Sequence, residues 1–222
     1  MRLRRKPWID EAIKEYSDFL YLELPVENKG KWKEQFAEPE HPLCVELGTG
    51  KGRFISQMAA AHPEWNFVGF ERQIGVIYYA GKKVAELDPP VNNVRLVLGD
   101  ISHIEELFTP GEVDRFFINF CDPWPKARHE KRRLTHRNYL KRYAALLAPE
   151  GEICFKTDNR DLFDFSVEEF KAMGWELSDV NYDLHANPIE GDVMTEYEEK
   201  FSSQGNPICK MTAAPSVKDK GI

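Results

Sequence analysis

The chain has 222 residues, 42% of them from the set AVILMFWYC, 12% aromatic and 30% charged, a balance that builds a globular core and excludes a disordered chain. Its strongest apolar run, VDRFFINF, is far shorter than the roughly 18 to 20 residues a membrane helix needs. The basic N-terminus MRLRRKPWID lacks the apolar stretch of a secretory signal, so no membrane contact and a cytoplasmic location are expected. The formal net charge of −7, from 30 basic and 37 acidic side chains, taken alone argues against a nucleic-acid binder.

Taken in chain order, residues 8–36 are polar and helix-like, with Pro25 and the Asn28-Lys29-Gly30 cluster interrupting them. They read as an N-terminal extension. Its aromatic residues Trp8, Tyr16, Phe19, Tyr21 and Trp32 cover either the domain's own surface or that of a second copy, with a homodimer the preferred expectation over a monomer. From residue 43 the pattern becomes regular. LCVEL is a first strand, GTGKG a glycine loop, and RFISQMAAAH a helix. NFVGFE, VRLVLGD and VDRFFINF follow as strands two to four, with QIGVIYYAGKKVAEL and SHIEELF as the helices between them. HRNYLKRYAALLA is a helix ending at Pro149, EICFKTD a fifth strand, and DLFDFSVEEFKAM a helix. WELSDVNYDL and PICKMTA are two further strands with no helical stretch between them.

Strands alternating with helices of about ten to fifteen residues imply parallel pairing through right-handed crossovers. The expected fold is α/β: a Rossmann-like doubly wound sheet, mostly parallel, with an antiparallel C-terminal edge hairpin. One domain is expected over 1–222, with an extension over 1–41, a core over 42–214 and a tail over 215–222. Cys44, Cys121, Cys154 and Cys209 have no CxxC or Cys/His spacing, so they read as small buried hydrophobes, with no disulfide or metal site.

In an open α/β sheet the ligand lies beyond the carboxyl ends of the strands, and acids stand at four consecutive ends. Glu46 precedes the loop glycines Gly48 and Gly50; Glu71, Asp100 and Asp122 end the next three strands. Any one of them alone reads more naturally as a helix cap, whereas four together point to a ligand. GTGKG lacks the GxGxxG spacing of a dinucleotide site, and carboxylates repel a pyrophosphate. A ligand with ribose hydroxyls, an exocyclic amine and positive charge but no phosphate suits the acids, and S-adenosylmethionine meets that description. Glu71 would accept from the ribose hydroxyls and Asp100 from the adenine amine.

The segment NFCDPWPKARHEKRRLTHRNYL follows the fourth strand. Pro123 and Pro125 stiffen the backbone around Asp122 and expose Trp124. From Lys126 to Arg142 eight basic residues face one acid, Glu130, a local charge of +7 that the overall balance conceals. Cations beside an acid and an aromatic ring are what chemistry on a nucleic-acid base requires. His129 and His136 read as solvated loop histidines, and Asp161 and Asp164 as favourable to the dipole of their helix.

ELGTGKGRF, the strand-end acids, DPWPKARHEKRRLTH and the distant TEYEEKF together resemble the bacterial tRNA (guanine-N7)-methyltransferases over roughly residues 40–213. The resemblance implies S-adenosylmethionine as cofactor and a variable-loop guanine of tRNA as substrate. It implies a cofactor site lined by Glu46, Gly48, Gly50, Glu71, Asp100 and Asp122, with Asp122 catalytic. Lys126, Asp158, Thr195, Glu196, Tyr197 and Glu198 would meet the substrate. Arg128, His129, Glu130, Lys131, Arg132 and Arg133 would contact RNA. The chain departs from the resemblance at Cys121, where a serine is expected.

Three other readings of the same residues stand beside this one. DPWP is similar to the motif of amine-methylating enzymes, although a free amine does not account for the RHEKRR run. A non-catalytic RNA-binding module on the same fold would have no need of intact strand-end acids. A nicotinamide dehydrogenase is disfavoured by the loop spacing. Which of Asp122 and Asp158 touches the guanine is left open at this level.

Overall fold

The computed structural model describes residues 6–189, 192–195, 198 and 205–216. The chain divides into two compact units, residues 1–109 and 110–222.

The first unit opens with α1 (Ile9–Ala12) and β1 (Leu20–Tyr21), then runs β2 (Leu43–Leu47), α2 (Arg53–Ala61), β3 (Asn66–Glu71), α3 (Ile74–Ala85), β4 (Val94–Leu98) and α4 (Ile104–Leu107). Its strands lie in the order β1-β4-β3-β2, and every pair is parallel. All five residues of β2 and the first five of β3 are buried, as expected of parallel strands covered on both faces. Helix α2 turns Phe54, Ile55, Met58 and Ala59 into the core, which is its apolar stripe at helical spacing.

The extension departs from the helical expectation. Beyond α1 it is a chain of short 3-10 turns, Ile13–Tyr16, Val26–Asn28 and Lys33–Gln35, together with strand β1 on the sheet edge. The reason is packing. Trp32 is fully buried, its indole N–H donates to the Leu107 carbonyl at 2.7 Å, and its ring stacks on Phe108 at 5.4 Å. Losing a buried indole costs about 3–5 kcal/mol, far more than short-range helix propensity supplies. Tyr16 is buried as well, against Gly81 of α3, where a Cβ would lie 2.7 Å from its ring. These two aromatics therefore cover the chain's own surface.

The second unit holds β5 (Val113–Asn119), α5 (Arg137–Leu146), β6 (Leu147–Thr157), α6 (Arg160–Ala172), β7 (Glu176–Asn181) and β8 (Cys209–Ala214). Strand order is β5-β6-β8-β7. The β5–β6 pair is parallel, and β8 runs antiparallel to both β6 and β7, so the expected C-terminal hairpin is present. Helix α5 stops before Pro149, at Leu146, and β6 starts earlier than expected. A register shift between the pairs Val113↔Leu147 and Arg115↔Glu152 takes up Pro149 and Gly151 as a bulge.

His136 is a correction to the solvated reading. It is 7% exposed, and its Nδ1 accepts from the Asn138 N–H at 3.1 Å, capping α5. Asp161 sits in the first turn of α6, as the dipole reading expects, whereas Asp164 lies beyond that turn and pairs with Arg160 at 3.0 Å. Among the described residues no helix is long and apolar enough to cross a membrane.

Candidate active site

In the first unit the glycine loop follows β2. Gly48, Gly50 and Gly52 all have positive φ, at 92°, 60° and 80°, a region that L side chains rarely adopt. A Cβ on Gly52 would meet the Ala80 backbone at 2.7 Å, so that glycine serves helix packing. A Cβ on Gly48 or Gly50 would meet no atom within 4 Å. The loop backbone at those two positions thus borders open space, as a ligand cradle must. The amides of Gly48 and Thr49 both donate to the Phe70 carbonyl, at 2.9 and 2.8 Å, which pins the loop to β3.

Glu46 is 3% exposed, and the Thr49 hydroxyl donates to its Oε2 at 2.6 Å. Thr49 escaped the sequence reading; the signal was available as the hydroxyl between two loop glycines, three residues beyond the acid. Glu71 accepts from the Gln73 amide at 2.9 Å. Desolvation raises its carboxyl above the ordinary range, and the amides of Gln73 and Gly50 pull it partly back, so Glu71 and the glycine loop are brought together. Asp100 accepts from the Ser102 amide at 2.8 Å, capping the following 3-10 turn, and that bond holds its carboxyl low. It is a cap with one oxygen committed.

In the second unit the Phe120 amide donates to the Lys156 carbonyl at 2.9 Å, extending the β5–β6 pairing. Asp122 and Asp158 therefore follow the carboxyl ends of two adjacent parallel strands. The chain between them and their neighbours is specialised. Phe120 and Trp124 have left-handed φ, 50° and 42°, and such non-glycine positions cluster where a backbone serves a site. Asp122 is exposed. Desolvation and the Asp122 carboxylate push the Cys121 thiol up to about 12, so it stays protonated at neutral pH and adds no nucleophile.

Asp158 is half-buried. The cap of α6 is supplied by its neighbour Asn159, whose side chain accepts from the Leu162 amide at 2.8 Å. Thr157 Oγ1 accepts from the Asn159 amide at 3.1 Å. Both neighbours are thus committed to the turn, while the Asp158 carboxylate accepts no hydrogen bond from the described residues.

The basic run forms a 3-10 turn, Ala127–Arg132, and its members differ in role. Arg133 donates to the carbonyls of Pro123 and Trp124 at 3.1 and 3.2 Å. Arg132 lies over the Trp124 ring at 4.9 Å, with His129 edge-on to the same ring at 5.7 Å. Arg137 is tied to Glu169, with its Nη2 2.6 Å from Oε1. Lys126, Arg128, Glu130 and Lys131 are exposed. Arg132 is exposed as well, so the members committed to partners within the fold are Arg133 and Arg137.

Thr195 and Glu198 are brought together. The Glu198 amide donates to Thr195 Oγ1 at 2.9 Å and the Thr195 amide to Glu198 Oε2 at 3.3 Å, a reciprocal capping pair. Glu196 and Tyr197 lie outside the described residues. Lys156, Asp192 and Lys210, which the sequence reading passed over, hold this segment. Among the described residues no group of three or more His, Cys, Asp and Glu is placed to hold a metal ion.

Parallel strands feeding a left-handed glycine loop, acids at successive strand ends and a reversed last strand define a Rossmann-like methyltransferase. A solved structure described as an antibiotic related methyltransferase has the same fold, with a TM-score of 0.60 at 17% identity, covering 86% of this chain and 94% of that one. The family described as "Putative methyltransferase" matches residues 40–211. The tRNA (guanine-N(7)-)-methyltransferase of Geobacillus sp. (strain WCH70) is 45% identical over 100% of both chains. That of Bacillus subtilis (strain 168) is 47% identical, over 94% of this chain and 96% of its own. The chain belongs to the tRNA (guanine-N(7)-)-methyltransferase family.

Proposed function

We propose that this chain transfers the methyl group of S-adenosylmethionine to N7 of a variable-loop guanine in tRNA, acting in the cytoplasm. The observation that carries the reading is full-length identity of 45% to a relative of that name. The chemistry of the residues supports it. S-adenosylmethionine supplies an electrophilic methyl group on a sulfonium. The open space beside Gly48 and Gly50 and the carboxyls of Glu46, Glu71 and Asp100 suit its ribose, adenine amine and positive charge.

Guanine N7 carries an in-plane lone pair and no proton, so no general base is needed to create the nucleophile. Positioning must supply most of the rate. Asp122 is the catalytic candidate, accepting from the guanine N1–H and N2–H and stabilising the base as it turns cationic. Asp158, whose carboxylate accepts no hydrogen bond from the described residues, is the second acceptor for that edge. Trp124 supplies a flat wall for the base, Lys126 and Thr195 meet the substrate, and Glu198 supports Thr195 through their paired hydrogen bonds. Arg128, His129, Glu130, Lys131, Arg132 and Arg133 form the RNA-facing turn. Lys126, Arg128 and Lys131 address phosphates, while Arg132 and Arg133 support the turn.

The test is transfer of labelled methyl to an unmodified tRNA transcript carrying a variable-loop guanine, with its guanine-to-adenine variant as control. Label in the first transcript alone, released by the borohydride and aniline cleavage diagnostic of N7-methylguanine, is the expected result. Label in both transcripts would overturn the site assignment. Label in neither, with S-adenosylmethionine still bound, would overturn the substrate.

A further inference from the structure

Lys156 and Lys210 face each other directly across the antiparallel β6–β8 pair. Like charges at directly opposed positions repel, and here the Lys156 side chain is only 5% exposed and that of Lys210 14%. Two buried ammonium groups on one face of a sheet require anions. The chain supplies them from a single segment far along the sequence. Asp192 bridges the pair, its Oδ2 2.5 Å from Lys156 Nζ and its Oδ1 2.9 Å from Lys210 Nζ. Lys156 donates further to the Val193 carbonyl at 3.0 Å and to Glu198 Oε2 at 3.2 Å.

Glu198 is 1% exposed. Its Oε2 receives both the Lys156 ammonium and the Thr195 amide, and its Oε1 lies 3.6 Å from His185 Nε2. A carboxylate so engaged is part of the support for the segment, which redirects the substrate-facing role toward Thr195. The Thr195 hydroxyl accepts from the Glu198 amide, and among the described residues no acceptor takes its own proton.

We propose that Lys156, assisted by Lys210, is a positioning residue: a paired-lysine clamp that holds Asp192, Val193 and Glu198 and thereby orients Thr195 toward the guanine. The clamp deepens the guanine-methylating reading and rests on it for the identity of the substrate. The Lys156 side chain is 5% exposed, with its ammonium taken by Asp192, Val193 and Glu198. Its effect passes through the two carboxylates, and it stands two residues before Asp158, so strand β6 sets the clamp and the candidate acid from one rigid element.

The experiment compares Lys156→Met and Lys156→Arg with the parent protein in steady-state methyl transfer to the tRNA transcript, S-adenosylmethionine titration and amide hydrogen exchange. In Lys156→Met, kcat is expected to fall at least tenfold with cofactor affinity within about twofold, and the Thr195 and Glu198 amides are expected to lose protection. Lys156→Arg, whose guanidinium spans both carboxylates, recovers most of the turnover. Lys210→Met, which leaves Lys156 on both acids, shows the same changes in smaller measure and serves if Lys156→Met fails to fold. Parental kcat and KM in Lys156→Met would overturn the proposal, as would loss of cofactor binding in proportion to turnover. If the parent itself methylates no tRNA, the guanine reading fails, while unchanged exchange at Thr195 and Glu198 would separately sink the clamp.

Discussion

Arg133 donates to the carbonyl oxygens of both Pro123 and Trp124 while its guanidinium lies 4.3 Å from the Phe165 ring centroid. It is thus bound into the loop, although the resemblance implied that it contacts RNA. Those two carbonyls belong to a backbone in which Trp124 holds a positive φ, so removing the fork leaves a strained loop without its tie. Arg128 and Lys131 are exposed on the same turn. Arg133→Ala is therefore expected to lower turnover and thermal stability. Arg128→Ala and Lys131→Ala should instead weaken tRNA binding, make the salt dependence shallower by about one per lost phosphate contact, and spare cofactor affinity. Filter binding over a salt series beside thermal melts separates the two behaviours. An Arg133→Ala protein with a parental melt and only a shallower salt slope would return Arg133 to the RNA surface.

The bond from Thr49 to Glu46 makes a second prediction. Both groups are buried, so Thr49→Val removes the Thr49 hydroxyl from Glu46 Oε2 at nearly constant volume. Such a loss costs about 1–3 kcal/mol. It also releases the loop whose open side would take S-adenosylmethionine under the proposed function. Thr49→Val is expected to bind S-adenosylmethionine more weakly and to melt earlier, with Thr49→Ser close to the parent on both counts. Calorimetric titration and a thermal melt read these directly, and equal affinity in parent and valine variant would remove Thr49 from the site.

The strand-end acids and the strand-helix alternation were legible because both are local signals: periodicity over a few residues and the residue at its end. Asp122, Asp158 and the glycine loop emerged that way. What depended on distant partners did not. Lys156 reads as one more residue of a strand until Asp192 and Lys210 are beside it. Arg137 counts toward a basic run until Glu169, 32 residues on, neutralises it. The extension looked helical because polar residues with intermittent aromatics satisfy a helical spacing, whereas burial of Trp32 against Leu107 and Phe108 decides its course. Which acids also serve as caps was equally hidden. Asn159 takes the cap and leaves Asp158 without a hydrogen bond from the described residues, whereas Asp100 takes its own.

Glu169 sets the response to acid. It accepts from the Arg137 backbone amide at 2.7 Å and from its guanidinium, and these bonds lower its carboxyl below the ordinary value of 4.5. A carboxyl lowered in the folded state contributes stability that is fully present above its unfolded value and is lost as pH falls through the lower folded value. The contribution is tempered by solvent, because the Arg137 side chain is 52% exposed. Glu169→Gln is therefore expected to lower Tm at pH 7 by about 2–4 °C, with the difference from the parent shrinking below pH 4.5. Melts across pH 3 to 7 test this, and a difference independent of pH would mean that charge has no part in the pairing.

Asp122 and Asp158 end adjacent parallel strands, yet they are held differently. Asp122 sits exposed in a loop braced by Arg133, and Asp158 sits half-buried between two residues committed to a turn. If Asp122 stabilises the cationic guanine of the transition state, Asp122→Ala loses an interaction that strengthens only as charge develops, and kcat should fall by about 10²-fold or more while tRNA affinity is retained. If Asp158 holds the guanine edge in ground and transition states alike, Asp158→Asn should raise KM for tRNA more than it lowers kcat. Steady-state kinetics on the same transcript for both variants assign the roles. The reverse pattern, with kcat lost at Asp158 and KM at Asp122, would exchange them, and near-parental turnover in Asp122→Ala would remove it from the reaction altogether.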